Sequence, residues 1–324
     1  MSPGPAFVSH PDCARHDTGW SHPEHQGRLP ALVRALHAET PALIGRVLQR
    51  EARPVREDEV LLAHTSAHVE RVRAACAQAA ASDGHVFLDA DTVVSPASWD
   101  AALAAAGCAV TAAELVLEGE AACAFAASRP PGHHAGASQA MGFCLFNNVA
   151  IAARVLQRHG LERVLIVDWD VHHGNGTQDI FYEDPSVFYL STHLSPHYPG
   201  TGAARETGAG RGRGTTLNVP LRAGTTATEF HERIDAALAD ALARFDPAFV
   251  LVSAGFDCLA GDPLGGLRLE PADLHALTTR LIDVARRHAA GRLAIALEGG
   301  YVPDRLGAGA VAVMRALSGL PLHD

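Results

Sequence analysis

Residues 163–176 read RVLIVDWDVHHGNG, and the two halves of this stretch have opposite characters. The first is a short apolar run rich in valine and isoleucine, the pattern of a strand buried on both faces. The second, from Asp168 on, is dense in carboxylate, imidazole and amide groups. In an open parallel sheet ligands bind beyond the carboxyl ends of the strands, so this change of character marks a strand end that opens onto a site. The same change recurs elsewhere in the chain. ACAFAAS (122–128) leads into Arg-Pro-Pro-Gly-His133-His134, AFVLVS (248–253) into Ala-Gly-Phe-Asp257, and LAIAL (293–297) into Glu298-Gly-Gly-Tyr301. SVFYLS (186–191) is one more buried strand.

Between these runs lie segments with apolar residues at helical spacing. ATEFHERIDAALADALARF is one, and PADLHALTTRLIDVARRH is another, with Pro271 near its start and Gly291 just beyond its end. SWDAALAAAGCAVTAAELVLE is predicted to be a helix running from a Ser98 N-cap to a stop at Gly119. Alternating strands and helices, with no linker or repeat to divide them, predict an α/β protein: a single-domain parallel sheet sandwiched by helices over residues 1–324.

Composition narrows the function. No apolar run approaches the ~20 residues of a bilayer span, and the N-terminus MSPGPAFVSH has neither the charged start nor the apolar stretch of a signal peptide. A cytoplasmic protein without membrane contact is expected. The six cysteines are scattered without a C-x-x-C pair, so neither a disulfide framework nor a thiolate zinc site is expected, only reduced packing residues. The net charge of −10 without a basic tract argues against direct binding of nucleic acid and favours cationic substrates. All 26 positive residues are arginine, so the chain has no lysine side chain of its own to be acetylated.

Asp170 and His172 are two apart, so in an extended segment they would share a face, and Asp257 can reach the same point from another strand end. Two carboxylates and an imidazole make a three-ligand metal site with a position open for water or substrate, as catalytic zinc requires. Without a cysteine ligand, iron, cobalt or manganese fits the donor set equally well. His133 and His134 can move protons, while Asp168 and Asn175 could fix their tautomers. A carboxylate beside one imidazole and an amide beside the other would separate their pKa values and hence their roles. Tyr301 offers a hydroxyl to a polarised carbonyl oxygen. Together these groups suit amide hydrolysis.

The motifs RPPGHHA, MGFCLFNN, VDWDVHHGNGTQDIF, SAGFD, DPLGG and EGGY resemble the zinc-dependent histone deacetylase family of the arginase/deacetylase fold, in family order and across nearly the whole chain. Asn175 in place of Asp is similar to the class II branch and its bacterial relatives. The resemblance implies Asp170, His172 and Asp257 as zinc ligands, His134 as principal base, His133 paired with Asp168 as its partner, and Tyr301 as oxyanion donor. It implies Gly142, Phe143, Tyr198 and Leu264 at the substrate, with Phe143 and Tyr198 forming an aromatic crevice around an alkyl stem. It also implies structural potassium at Asp168, Asp170, His172, Ser191 and Thr192, and a second potassium at Phe181, Asp184 and Val187. Arg28 matches a position near an internal acetate channel of relatives, though a surface arginine at a helix start reads equally well; His10, His16 and His25 are expected in loops.

The expected partner is acetylated lysine in proteins or peptides, with acetylated polyamines as the alternative. Polyamine-selective members of that branch carry Glu where Leu264 stands, which favours lysine, although Asp89 and Asp91 lie in a rim segment where either carboxylate could substitute. An arginase-like two-metal site lacks the further ligands it would need, since Cys258 follows Asp257. A catalytically silent acyl-lysine binding module is disfavoured by the intact ligand set and Tyr301. Acyl-chain length and oligomeric state are left open.

Overall fold

The computed structural model describes residues 3–322. Among them the chain runs through β1 (Ala6–Ser9), α1 (Arg28–Ala38), α2 (Thr40–Leu43), β2 (Leu48–Glu51), α3 (Glu57–Val60), α4 (Ser66–Ser82), β3 (Val86–Phe87), β4 (Val93–Val94), α5 (Ser98–Leu117) and β5 (Ala124–Ala126). It continues through α6 (Asn148–Arg158), β6 (Val164–Asp168), α7 (Asn175–Phe181), β7 (Val187–Leu194), β8 (Thr216–Leu221), α8 (Ala227–Arg244), β9 (Phe249–Ala254), α9 (Pro271–His288), β10 (Leu293–Leu297) and α10 (Pro303–Leu317).

Eight strands form one sheet in the order β2-β1-β5-β10-β9-β6-β7-β8, and every pairing is parallel. β5, β6, β7, β9 and β10 are buried along their whole length, which is why they read as largely apolar runs, with polar residues toward the C-terminal ends of β6, β7 and β9. Helices cover the sheet: α5 packs on β1, β5 and β10, α8 on β7 and β8, and α9 on β9 and β10. A small antiparallel hairpin of β3 and β4 stands apart from it and carries Asp89 and Asp91 in its turn.

Two details of the sequence reading are corrected. α5 is long and apolar enough, by length and composition, to cross a membrane, contrary to the expectation that no such run exists. It is apolar because most of it is buried inside the protein against the sheet and α6. Nor does Ser98 cap it. Ala97 holds the N-cap position without a side-chain bond, and the Ser98 hydroxyl instead accepts from Ser95 N–H (2.7 Å) and meets buried His16 Nδ1 (2.7 Å). The helix α9 spans the predicted residues, with Pro271 in its first turn, and all six cysteines are free and buried.

The order of the sheet positions the chemistry. β5, β10, β9 and β6 are consecutive neighbours, so the segments after them, residues 129–134, 298–301, 255–257 and 169–175, emerge side by side along one rim.

Candidate metal and catalytic site

Asp170, His172 and Asp257 converge: one ligand atom from each lies within 4.8 Å of the others, and all three residues are buried. They do not meet through an extended strand, as expected from their spacing. The chain after Asp168 turns through bends, stitched by Asp170 N–H donating to Asp168 Oδ1 (3.1 Å) and His172 N–H donating to Asp170 Oδ1 (2.9 Å). The Trp169 indole donates to Gly255 O (3.0 Å) and Val171 N–H to Asp257 Oδ1 (3.0 Å), locking the β6 loop onto the β9 loop.

His172 Nδ1 faces Asp170 Oδ1 at 3.0 Å and Asp257 Oδ2 at 3.2 Å. The second contact lacks hydrogen-bond geometry, leaving Asp257 Oδ2 a buried oxygen without a partner. Burial opposes charge on His172, but the two carboxylates outweigh it and push its pKa up to about 10. Burial and the charge of Asp170 push Asp257 upward. Two buried carboxylates around one imidazole nitrogen require a positive charge among them, either a proton or a cation. An orphaned carboxylate oxygen in a set of two carboxylates and one imidazole fits a divalent metal with an open position.

Two histidines flank this cluster, their ring centroids 4.0 Å apart. His133 Nδ1 donates to Asp168 Oδ2 (3.0 Å), and Asp168 also accepts from the Tyr189 hydroxyl (2.9 Å). Burial works against a charge on His133, yet Asp170 and Asp168 raise its pKa to about 10. His134 Nδ1 lies 2.8 Å from Asn175 Oδ1, while the amide nitrogen of Asn175 points to Met141 Sδ. An amide oxygen only accepts, so His134 carries its proton on Nδ1 and leaves Nε2 with a lone pair. Burial first, then the charges of His133 and His172, hold His134 well below the ordinary histidine range. The two surroundings thus pull the imidazoles in opposite directions, His133 toward the charged form and His134 toward the neutral one.

His134 and His172 line a pocket of about 190 Å³ together with Asp91, Gly142, Phe143, His197, Tyr198, Leu264 and Tyr301. Gly142 has φ +55°, and a Cβ there would lie 2.5 Å from His134 Cδ2, so glycine is what lets the chain pass so close to the ring. Phe143 N–H donates to the Thr92 hydroxyl (3.1 Å), which ties this wall to the β3–β4 hairpin. Asp89 closes the turn of that hairpin by accepting from Asp91 and Thr92 N–H, whereas Asp91 faces the pocket. Tyr198 stands edge-on to His134 at 5.1 Å between centroids, and Tyr301 edge-on to Phe143 at 5.8 Å. Burial, then Asp257 and Asp170, push the Tyr301 phenol well above its usual value, so it stays protonated.

Arg28 is not a surface residue. It is fully buried, donating to Gly300 O (2.7 Å), Glu298 O (2.6 Å) and Glu24 Oε1 (2.8 Å), with its guanidinium over the Tyr301 ring. Glu24 also accepts from Arg129 Nε (2.7 Å). His10, His16 and His25 do lie outside helices and strands, although His16 is buried. Of the residues implied for potassium, Ser191 meets His193 Nδ1 (2.9 Å), and the Thr192 hydroxyl reaches Asp168 O (3.4 Å). Phe181 ends α7, Val187 begins β7, and Asp184 between them takes Arg154 Nη1 (2.6 Å) and Ser186 N–H (2.9 Å).

The sequence reading missed three contributors. Tyr189 braces Asp168; its signal was a phenol hydroxyl in the apolar first half of a buried strand. Glu298 Oε2 accepts from Gly132 N–H (2.6 Å) and His133 N–H (3.1 Å), which shapes the loop that presents both histidines. His197 stacks on His172 at 5.0 Å with an 18° interplanar angle.

The sequence profile of the histone deacetylase domain matches residues 22–317. A histone deacetylase-like amidohydrolase of Pseudomonas aeruginosa is 38% identical over 326 residues, covering 98% of this chain and 82% of the relative. A chloroplastic histone deacetylase 10 of Oryza sativa is 39% identical over 313 residues, covering 93% and 70%. A probable deacetylase of Archaeoglobus fulgidus is 37% identical, covering 98% and 87%. The crystal structure of the HDA15 HD domain superposes with a TM-score of 0.91 at 39% identity, covering 98% of this chain and 90% of that one.

Proposed function

Because the chain belongs to the histone deacetylase family, we propose that it is a zinc-dependent hydrolase removing acetyl groups from the side-chain amine of acetyl-lysine in proteins or peptides. The observation that carries the metal assignment is the unpartnered Asp257 Oδ2 inside a buried cluster of two carboxylates and one imidazole. Asp170, His172 and Asp257 would hold the ion. When bound, it supplies Lewis-acid polarisation of the substrate carbonyl and lowers the pKa of the attacking water to roughly 7.

The protein's own groups divide the remaining work. His134 is neutral and held by Asn175, so its Nε2 takes a proton from water as base. His133, charged and held by Asp168, places a positive potential beside the reaction and a proton within reach of the leaving amine. The Tyr301 phenol donates to the carbonyl oxygen as negative charge develops there. Phe143 and Tyr198, over the Gly142 turn, clasp the alkyl stem and exclude water. Potassium at the two groups of residues implied by the family resemblance belongs to the same proposal, as a structural ion. A cytoplasmic setting is compatible with the bacterial and archaeal relatives, while the rice relative is named chloroplastic.

The second reading is an acetylpolyamine amidohydrolase, and one observation favours it. Asp91 lines the pocket together with Leu264, so a carboxylate stands where a distal ammonium would need one. The test is a competition between acetyl-lysine peptides and acetylated putrescine or spermidine, before and after chelation and zinc restoration. Zinc-dependent turnover with lysine preferred supports the proposal. Full activity in metal-free protein would sink the metal assignment, and a polyamine preference abolished by Asp91→Asn would move the substrate to the second reading.

A further inference from the structure

The segment after β10 is held through its backbone: Arg28 donates to Glu298 O and Gly300 O, and Gly299 N–H donates to Asp170 Oδ2. Gly299 and Gly300 precede Tyr301, and Gly300 sits at φ +119°. With no side chains on two successive residues, the place of Tyr301 depends on what its backbone bonds to. Its N–H donates to Asp262 Oδ2 at 2.7 Å. The other oxygen of the same carboxylate, Oδ1, accepts from Leu264 N–H at 2.9 Å. Leu264 O in turn accepts from His197 Nε2 at 2.8 Å, and His197 is the ring that stacks on His172. One carboxylate thus joins the pocket wall at Leu264 to the backbone of the phenol donor.

We propose that Asp262 is a positioning residue for the reaction, holding Tyr301 and the Leu264 wall in one frame by accepting both backbone N–H groups. The proposal rests on the reading of Tyr301 as oxyanion donor. Asp262 touches neither substrate nor the metal cluster; it acts through the backbone of Tyr301. A hydroxyl that must meet a developing charge is sensitive to small displacement, since a shift of about 1 Å can cost on the order of a hundredfold in rate. The donor is used in the transition state, so the loss is expected in kcat and not in KM.

The experiment is a double-mutant cycle on zinc-loaded protein with an acetyl-lysine peptide. Asp262→Asn, which keeps one acceptor oxygen, is expected to lower kcat by about tenfold, and Asp262→Ala by up to about a hundredfold, with KM and zinc content unchanged. In a Tyr301→Phe background either change is expected to lower kcat by less than about twofold, because the hydroxyl it serves is gone. If the full loss persists in the Phe background, or if Asp262 variants turn over normally, the proposal is overturned. It is overturned equally if no Asp262 variant folds, since the residue is then structural. Near-normal turnover of Tyr301→Phe alone would instead strike the underlying reading of the donor, so the two failures are told apart.

Discussion

Gly299 is the residue on which the metal assignment can be tested without touching a ligand. Its N–H donates to Asp170 Oδ2 (2.9 Å), and its Cα faces the cluster. A Cβ added there would lie 2.1 Å from Asp257 Oδ2 and 2.7 Å from Asp170 Oδ2. Non-bonded heavy atoms settle near ~3.5 Å, so in Gly299→Ala the Asp257 carboxylate must retreat by more than about 1 Å. Metal–ligand distances tolerate only about 0.2 Å. Removing an outer partner of a ligand costs roughly 10–100-fold in affinity, so displacing one of three ligands is expected to cost at least about a hundredfold. The assay is zinc content after dialysis against a graded competing chelator, with turnover measured at saturating zinc. Gly84→Ala is the control, because a Cβ there meets nothing nearer than 3.5 Å. If Gly299→Ala retained zinc at wild-type affinity and turned over normally, Asp170 and Asp257 would not be the ligands.

His134→Ala is expected to reduce turnover by ~10² to 10⁴ with zinc retained, as loss of a general base does, and steady-state kinetics beside metal analysis checks it. Glu24→Gln is expected to destabilise the fold by about 3–5 kcal/mol in denaturant titration, because it leaves Arg28 and Arg129 buried without their shared anion. Burial lowers His16 and His64 to about 3, so both stay neutral in the fold while the unfolded chain protonates them near ~6.5. Unfolding then takes up protons below that value. Stability is expected to be full above about pH 6.5 and to fall toward pH 3, by up to ~1.4 kcal/mol per pH unit for each histidine. Thermal melts of wild type and His64→Gln should show a shallower acid slope in the variant; equal slopes would refute the assignment.

The central strands were legible because a strand buried on both faces must be mostly apolar, as VLIVD and FVLVSA are up to the polar residue near each C-terminal end. The outer strands were not. β2 reads LQRE, since at the sheet edge three of its residues are exposed, and β8 contains Pro220 within an otherwise β-like run. The residues that gather in the candidate site could be picked out from sequence because Asp168, Asp170, His172 and Asn175 sit at the end of one strand and directly after it. Their geometry was less accessible. Asp170 and His172 meet through bends held by side-chain-to-backbone bonds, which spacing alone does not encode. Arg28 could be read equally as internal or as a surface arginine at a helix start, because two of its three acceptors come from residues 298 and 300, far along the chain.

The position of β10 has a consequence for how the protein comes into being. Residues 293–297 insert between β5 and β9, pairing Ala124–Ala126 on one side and Val250–Ala254 on the other. A ribosome adds about 5–20 residues per second, so β5 waits roughly ten seconds or more for this neighbour. During that time β5 presents an open, apolar edge, joined for the last few seconds by that of β9, the kind of surface that pairs with the wrong strand. Insertion of β10 closes both edges and, four residues later, delivers Tyr301. The nascent chain thus fills the centre of its sheet and brings Tyr301 to the candidate site together, and until then a chaperone would find its binding surface in the middle of the protein, where the finished sheet is most protected.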